Sequence, residues 1–165
     1  MTNLEQQVYS VEELQKKDFD KYSDFFRTQI LASPDYTNEE KNLFISKRDI
    51  PGLESLIIEQ GVKIFILKDL NGSIVGCVEG RKLDENGFGY ISWIITDSNL
   101  FGRGLSKRLH KEIEKYYRLI NAKGILASIK DTNNPSIQAH LKFGFEIKQP
   151  LDKPKVDTTL YVRNF

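Results

Sequence analysis

The stretch Tyr90–Ser106, YISWIITDSNLFGRGLS, constrains this chain more than any other. Its apolar run ends at Thr96–Asp97, and Gly102 and Gly104 stand just before a long amphipathic segment. That order predicts a buried strand, a short loop and the opening of a helix. The first amides of a helix lack partners within it, and its N-terminal end carries partial positive charge. Small residues there let the backbone approach a ligand closely. The loop is therefore a candidate diphosphate cradle, with Arg103 and Lys107 adding charge beside it. The same glycines also suit a plain tight loop. They lack the third glycine of the dinucleotide fingerprint and the GK[ST] ending of a P-loop.

Residues before this stretch fall into two groups. Val8–Tyr9 reads as an edge strand, and Ser10-Val-Glu-Glu13 has a capping-box pattern that predicts a helix start. Phe19, Tyr22, Phe26 and Ile30 recur at helical spacing until Ser33–Pro34. Thr37-Asn-Glu-Glu40 predicts a second helix, and Pro51 suits the first turn of a third, with Leu53, Leu56 and Ile57 inward and Gly61 at its end. Strands follow over 63–68, 74–83 and 88–96. Asn71–Gly72 and Asn86–Gly87 separate them, which predicts an antiparallel meander.

Beyond the glycine loop, Leu105, Leu109, Ile113, Tyr116 and Ile120 share a helical face. Gly124 closes that helix, and Ile125–Ile129 reads as a strand parallel to 88–96, because a crossover helix joins them. Asn134 is the expected cap of the next helix, with Pro135 at its first position and Gly144 at its end. Phe145–Lys148 and Thr158–Val162 are closing strands joined by the loop 149–157. Val156–Val162 can pair within the chain or across a homodimer. The fold class is α/β (α+β) with a mixed, mostly antiparallel sheet and helices on both faces.

Composition removes several function classes. The 24 basic residues nearly balance 23 acidic ones, which leaves no overall electrostatic footprint for nucleic acid or an anionic membrane. No run is long enough to span a bilayer and no leader pattern opens the chain, so the expectation is a cytoplasmic protein. Cys77 is the single cysteine, and His110 and His140, the only histidines, are far apart in sequence. No metal site is expected.

The run IITDSNLFGRGLSKRL, then a helix, a strand and NNPSIQAHLKFGF, resembles the GNAT family of N-acyltransferases. The motifs lie within 90–145, and the resemblance implies one domain over residues 1–165 with the acyl-CoA N-acyltransferase fold. In that fold the parallel strand pair splays around acyl-CoA. The loop of the family aligns with Phe101–Ser106. Gly102 and Gly104 match, Phe101 replaces an Arg or Gln, and Ser106 replaces a small residue. By this resemblance Ile94, Ile95, Thr96, Gly102, Arg103, Gly104, Leu105, Ser106, Lys107 and Asn133 bind the co-substrate acetyl-CoA. Asn133 would hydrogen-bond the pantetheine arm, and His140 stands where the family has a tyrosine that acts as general acid near the sulfur.

Acyl transfer to an amine needs a thioester held beside the amine, a fixed donor for its carbonyl oxygen, and an outlet for the amine's protons. A backbone N–H near Ile95 or Thr96 is the expected donor. Histidine titrates near ~6.5, so His140 is a chemically reasonable acid. The base is less evident. The strands YISWIIT and ILASI hold no carboxylate, and by the resemblance Ser128 stands where some members of the family have a glutamate. Glu79 and Asp97 are the nearest acidic candidates, each also readable as a surface charge. Cys77 lies in an apolar strand without an activating partner, which favours direct transfer in a ternary complex over a covalent acyl-enzyme. The expectation is an acetyl-CoA-dependent N-acetyltransferase acting on a small-molecule or peptide amine. The alternative is a catalytically weak acyl-CoA-binding regulatory module. Acceptor contacts are expected in residues 33–50, with Tyr36 and Phe44, and in the 149–157 loop.

Overall fold

The computed structural model describes residues 8–148 and 157–165. Its strands and α-helices in order are β1 (Tyr9–Glu13), α1 (Phe19–Ala32), α2 (Asn38–Ser46), α3 (Ile50–Glu54), β2 (Lys63–Asp69), β3 (Ile74–Arg81), β4 (Phe88–Thr96), α4 (Leu105–Leu119), β5 (Gly124–Lys130), α5 (Asn134–Lys142), β6 (Glu146–Ile147) and β7 (Thr158–Asn164). The strands form one sheet in the order β1-β2-β3-β4-β5-β7-β6. All neighbours are antiparallel except β4 and β5. The 158–162 part of the closing strand thus pairs inside the chain, and residue 156 lies outside the described residues.

Local rules account for most elements. Thr37 caps α2 as a full capping box, with its hydroxyl accepting from the Glu40 N–H and the Glu40 carboxylate accepting from the Thr37 N–H. Asp49 caps α3 by accepting from the Gly52 N–H, and Pro51 sits in its first turn. Both Asn-Gly turns place glycine in the left-handed region, at φ 76° for Gly72 and 86° for Gly87.

The expected helix start at Ser10 is wrong. Residues 9–13 are a strand registered antiparallel on β2, from Tyr9 opposite Asp69 to Glu13 opposite Phe65. The capping-box residues are polar, but β2 offers an unpaired edge, and ladder pairing outweighs a local cap. The first helix begins instead at Phe19, and its Phe19, Tyr22, Phe26 and Ile30 are all buried as the spacing predicts.

Two cores flank the sheet. One holds α4 against Phe65, Val78, Ile91, Ile125 and Ile129. The other holds α1 and α3 against Ile64, Ile66, Ile74 and Cys77. In α4 the inward aromatic is Tyr117, not Tyr116, and Ile120 lies beyond the helix and is 37% exposed. The reason is on the sheet. Gly80 and Gly89 leave a hollow that the Tyr117 ring fills, and a Cβ at either glycine would run into it. The Tyr117 hydroxyl donates to Arg81 O at 2.7 Å and accepts from the Tyr90 N–H at 3.2 Å.

Candidate active site

One irregularity in β4 builds the site. Glu79 pairs with Trp93 and Gly80 with Ile91, so Ser92 is an extra residue in β4, a β-bulge. A bulge bends its strand and increases the local twist. Pairing between β4 and β5 accordingly ends at Ile91 opposite Ala127, although β4 continues to Thr96 and β5 to Lys130. The two strands part beyond that point, as the resemblance implies.

The parted edge of β4 has a definite polarity. The Asp97 N–H donates to Val75 O at 2.9 Å, so residues of that parity, Ile95 included, direct their amides to β3. Ile94 and Thr96 direct theirs into the opening. Of the two amides named from sequence, the Ile95 N–H is therefore spent on the sheet and the Thr96 N–H is available. Ile95 itself packs with Trp93 against the α1 core, while Ile94 packs on the α4 side.

At the mouth of the opening, Gly102 (φ 82°) and Gly104 (φ 71°) are both in the left-handed region, and space around each is clear of other atoms. Gly104 is the N-cap of α4 and offers no side-chain cap to the amides of Leu105, Ser106 and Lys107. No acidic residue occupies that first turn. The Leu105 side chain is buried, so only its backbone can meet a ligand. Arg103 and Lys107 are exposed beside the loop, and Phe101, the departure from the family pattern, projects with 63% of its surface open. An anion such as a diphosphate fits this uncapped, glycine-walled helix end.

Asn133, rather than Asn134, caps α5. Its Oδ1 accepts from the Ser136 N–H at 3.2 Å, and Asn134 is already helical. The amide Nδ2 of Asn133 stays available as a donor, so capping and ligand contact are compatible.

His140 has a neighbour that sequence separation concealed. Its ring meets that of His110 edge to face, with centroids 4.6 Å apart, and Phe143 and Phe145 complete the cluster. Each Nδ1 lies against the carbonyl four residues earlier, 2.8 Å from Ser136 O for His140 and 2.9 Å from Ser106 O for His110. Such a contact needs an Nδ1–H, so each Nε2 presents a lone pair, and neither has a partner among the described residues. Burial lowers both pKa values, that of His110 to about 3 with His140 beside it as a further cause. His140 is thus neutral at physiological pH, with 2% of its surface exposed, and presents an acceptor where an acid would need a proton.

Glu79 is equally committed. It is 1% exposed on β3, accepts from Arg48 Nε at 2.9 Å and Arg48 Nη2 at 2.7 Å, and also accepts from the Tyr22 hydroxyl. Asp97 spends its Oδ1 on the Asn99 N–H. Cys77 is buried, and burial pushes its thiol well up, so it is no thiolate nucleophile. Tyr161 is core, whereas Tyr90 lies under the Arg81 guanidinium.

On the α1–α3 face the bulge turns Ser92 and Trp93 into one cleft of about 310 Å³, lined also by Phe44, Lys47, Arg48, Glu79, Arg81 and Tyr90. Trp93 meets Phe44 at 5.0 Å, Phe26 at 5.3 Å and Tyr36 at 5.7 Å between ring centroids. The sequence points to Tyr36 and Phe44, and to the stretch 33–50 that includes Arg48, as the acceptor side, whereas Trp93 carries no local signal. The broken alternation at Ser92–Trp93 was the only trace of the bulge. Loop residues 149–156 lie outside the described residues. Among the described residues there is no group of three or more metal-ligating side chains, and no helix is long and apolar enough to cross a membrane.

A family model described as the acetyltransferase (GNAT) family matches residues 11–145. No curated protein matches the sequence. Among solved structures, the PaiA N-acetyltransferase of Thermoplasma acidophilum in complex with coenzyme A is similar at TM-score 0.81 and 12% identity, over 96% of this chain and 100% of that one. A GNAT acetyltransferase of Staphylococcus aureus Mu50 is similar at TM-score 0.72 and 18% identity, over 95% and 99%. The YncA structure of Salmonella typhimurium with its cofactor acetyl-CoA is similar at TM-score 0.72 and 16% identity, over 96% and 94%. At these identities the likeness is one of fold.

Proposed function

The chain belongs to the GNAT acetyltransferase family, and from that premise we propose that it moves an acetyl group from acetyl-CoA to a primary amine by direct attack in a ternary complex. One observation carries the reading. The gap between β4 and β5 lies between a glycine-walled helix end at α4 and a cleft on the opposite face of the sheet. A donor and an acceptor can therefore approach from opposite sides and meet at β4.

The backbone amides of Gly102–Lys107 hold the diphosphate, with Arg103 and Lys107 supplying charge. The open edge of β4 at Ile94 and Thr96 pairs with the pantetheine arm as it would with an added strand, and Asn133 donates from Nδ2. Ile95 contributes a side-chain wall only. The Thr96 or Ile94 N–H donates to the carbonyl oxygen as negative charge gathers on it. Acetyl-CoA supplies the activated acyl group: the C–S bond breaks as the C–N bond forms, and the proton lost from nitrogen ends on the thiol.

Neither proton-transfer role read from sequence is supported by the surroundings of its residue. Glu79 holds Arg48 and Tyr22 in place and so shapes the cleft floor. Neutral His140 locks α5 against α4 through His110. The amine therefore reacts as its own neutral fraction. The commitment of both groups also favours the second reading, a weakly active acyl-CoA-binding module. Compartment is proposed as cytoplasmic, the single cysteine, Cys77, leaving no intramolecular disulfide framework.

The test is to incubate the protein with acetyl-CoA and a panel of amines, measuring thiol release and acetylated product together. Equal yields of both support the enzyme. Saturable acetyl-CoA binding with no product from any acceptor favours the module.

A further inference from the structure

The cleft beside β4 has an unbalanced charge. Lys47, Arg48 and Arg81 line it, and Glu79 is the sole carboxylate among its lining residues. Glu79 is consumed by Arg48 and Tyr22, so it offers no counter-charge to an arriving cation. Arg81 uses Nε on the Ser92 hydroxyl at 2.9 Å and rests over the Tyr90 ring at 5.1 Å. Its outer guanidinium nitrogens and Lys47 have no carboxylate partner among the described residues. Arg81 is also held in position, because Ser92 and Tyr90 both come from the strand that borders the opening.

We propose, resting on the acetyltransfer reading above, that the acceptor is a primary amine carrying an anionic oxygen group. Arg81 and Lys47 receive the anion at the rim. Trp93 and Phe44 cover the apolar part of the acceptor, and the amine points along β4 toward the opening. A planar guanidinium anchored through Nε still presents its outer N–H groups to a carboxylate or phosphate. A polycation meets two unneutralised cations here and is disfavoured.

Matched acceptors test this. Phenylalanine against phenethylamine isolates a carboxylate, phosphoethanolamine against ethanolamine isolates a phosphate, and spermidine is the cationic comparison. Rates are compared per neutral amine. The anionic member of at least one pair is expected to have a kcat/KM about tenfold higher, the scale of one charge-assisted hydrogen bond. Arg81→Gln is expected to cut that ratio at least about fivefold, and Lys47→Gln to cut it less. Equal or better use of the neutral members or spermidine overturns the proposal, as does a preference that survives in Arg81→Gln.

Calorimetry with the acetylated products separates this from the catalytic reading. N-acetylphenylalanine and N-acetylphosphoethanolamine are compared with their uncharged counterparts, in wild type and Arg81→Gln. Tighter binding of an anionic product that Arg81→Gln removes supports the cleft's preference even if no acceptor turns over. Absence of that difference overturns the proposal even if acetylation is found.

Discussion

At the residue scale, the buried Arg48–Glu79 pair shows how a charge is tolerated in a core. Glu79 has three donors, and Arg48 lies over the Phe26 ring at 4.4 Å. Removing one partner strands the other without solvent, so Arg48→Met is expected to cost about 3–5 kcal/mol in urea unfolding. Adding Glu79→Gln to that variant should recover part of the loss. The His110–His140 cluster makes a different prediction. Both rings are neutral in the fold, but the unfolded chain takes up protons near pH ~6.5. Their contribution is whole above that value and is lost as pH falls toward the folded pKa, about 3 for His110. Unfolding free energy should therefore drop on acidification below pH ~6.5, by up to about 1.4 kcal/mol per pH unit for each histidine. His110→Phe should flatten that slope.

At the element scale, the α4 N-terminus and the β3–β4 hairpin have separable roles. Gly104 caps α4 at φ 71° with nothing packed near it, so Gly104→Ala meets backbone strain but no clash. A stability loss of about 1 kcal/mol is expected, with a weaker grip on acetyl-CoA measured by calorimetry. Gly89 lies on the sheet under Tyr117, where a Cβ would enter the ring. Gly89→Ala is expected to cost about 1–3 kcal/mol by overpacking, read from thermal or denaturant unfolding. Several helix boundaries are legible in the sequence because caps, first-turn prolines and turn glycines act over three or four residues, as at Thr37, Pro51 and Gly144. The failure at Ser10 arose because a strand edge 50 or more residues away in sequence outcompeted the cap.

At the scale of the whole molecule, the sheet carries α4 on one face and the aromatic cleft beside β4 on the other, and in the proposed ternary complex donor and acceptor meet at that strand. If the α4 end and the β4 edge grip acetyl-CoA together, ligand at 100 times its Kd should stabilise the fold by about 2.7 kcal/mol, visible as a thermal shift. A flat response would count against both the enzyme and the binding module. By itself the sequence determined the hairpins, the crossover, the glycine-walled helix end and the family motifs, because each depends on neighbours along the chain. Only the tertiary structure decided the bulge at Ser92, the meeting of His110 with His140, the capture of Glu79 by Arg48 and the cations left over in the cleft. Those features come from residues far apart in sequence that packing brings within bonding distance, and burial then changes what their side chains can do.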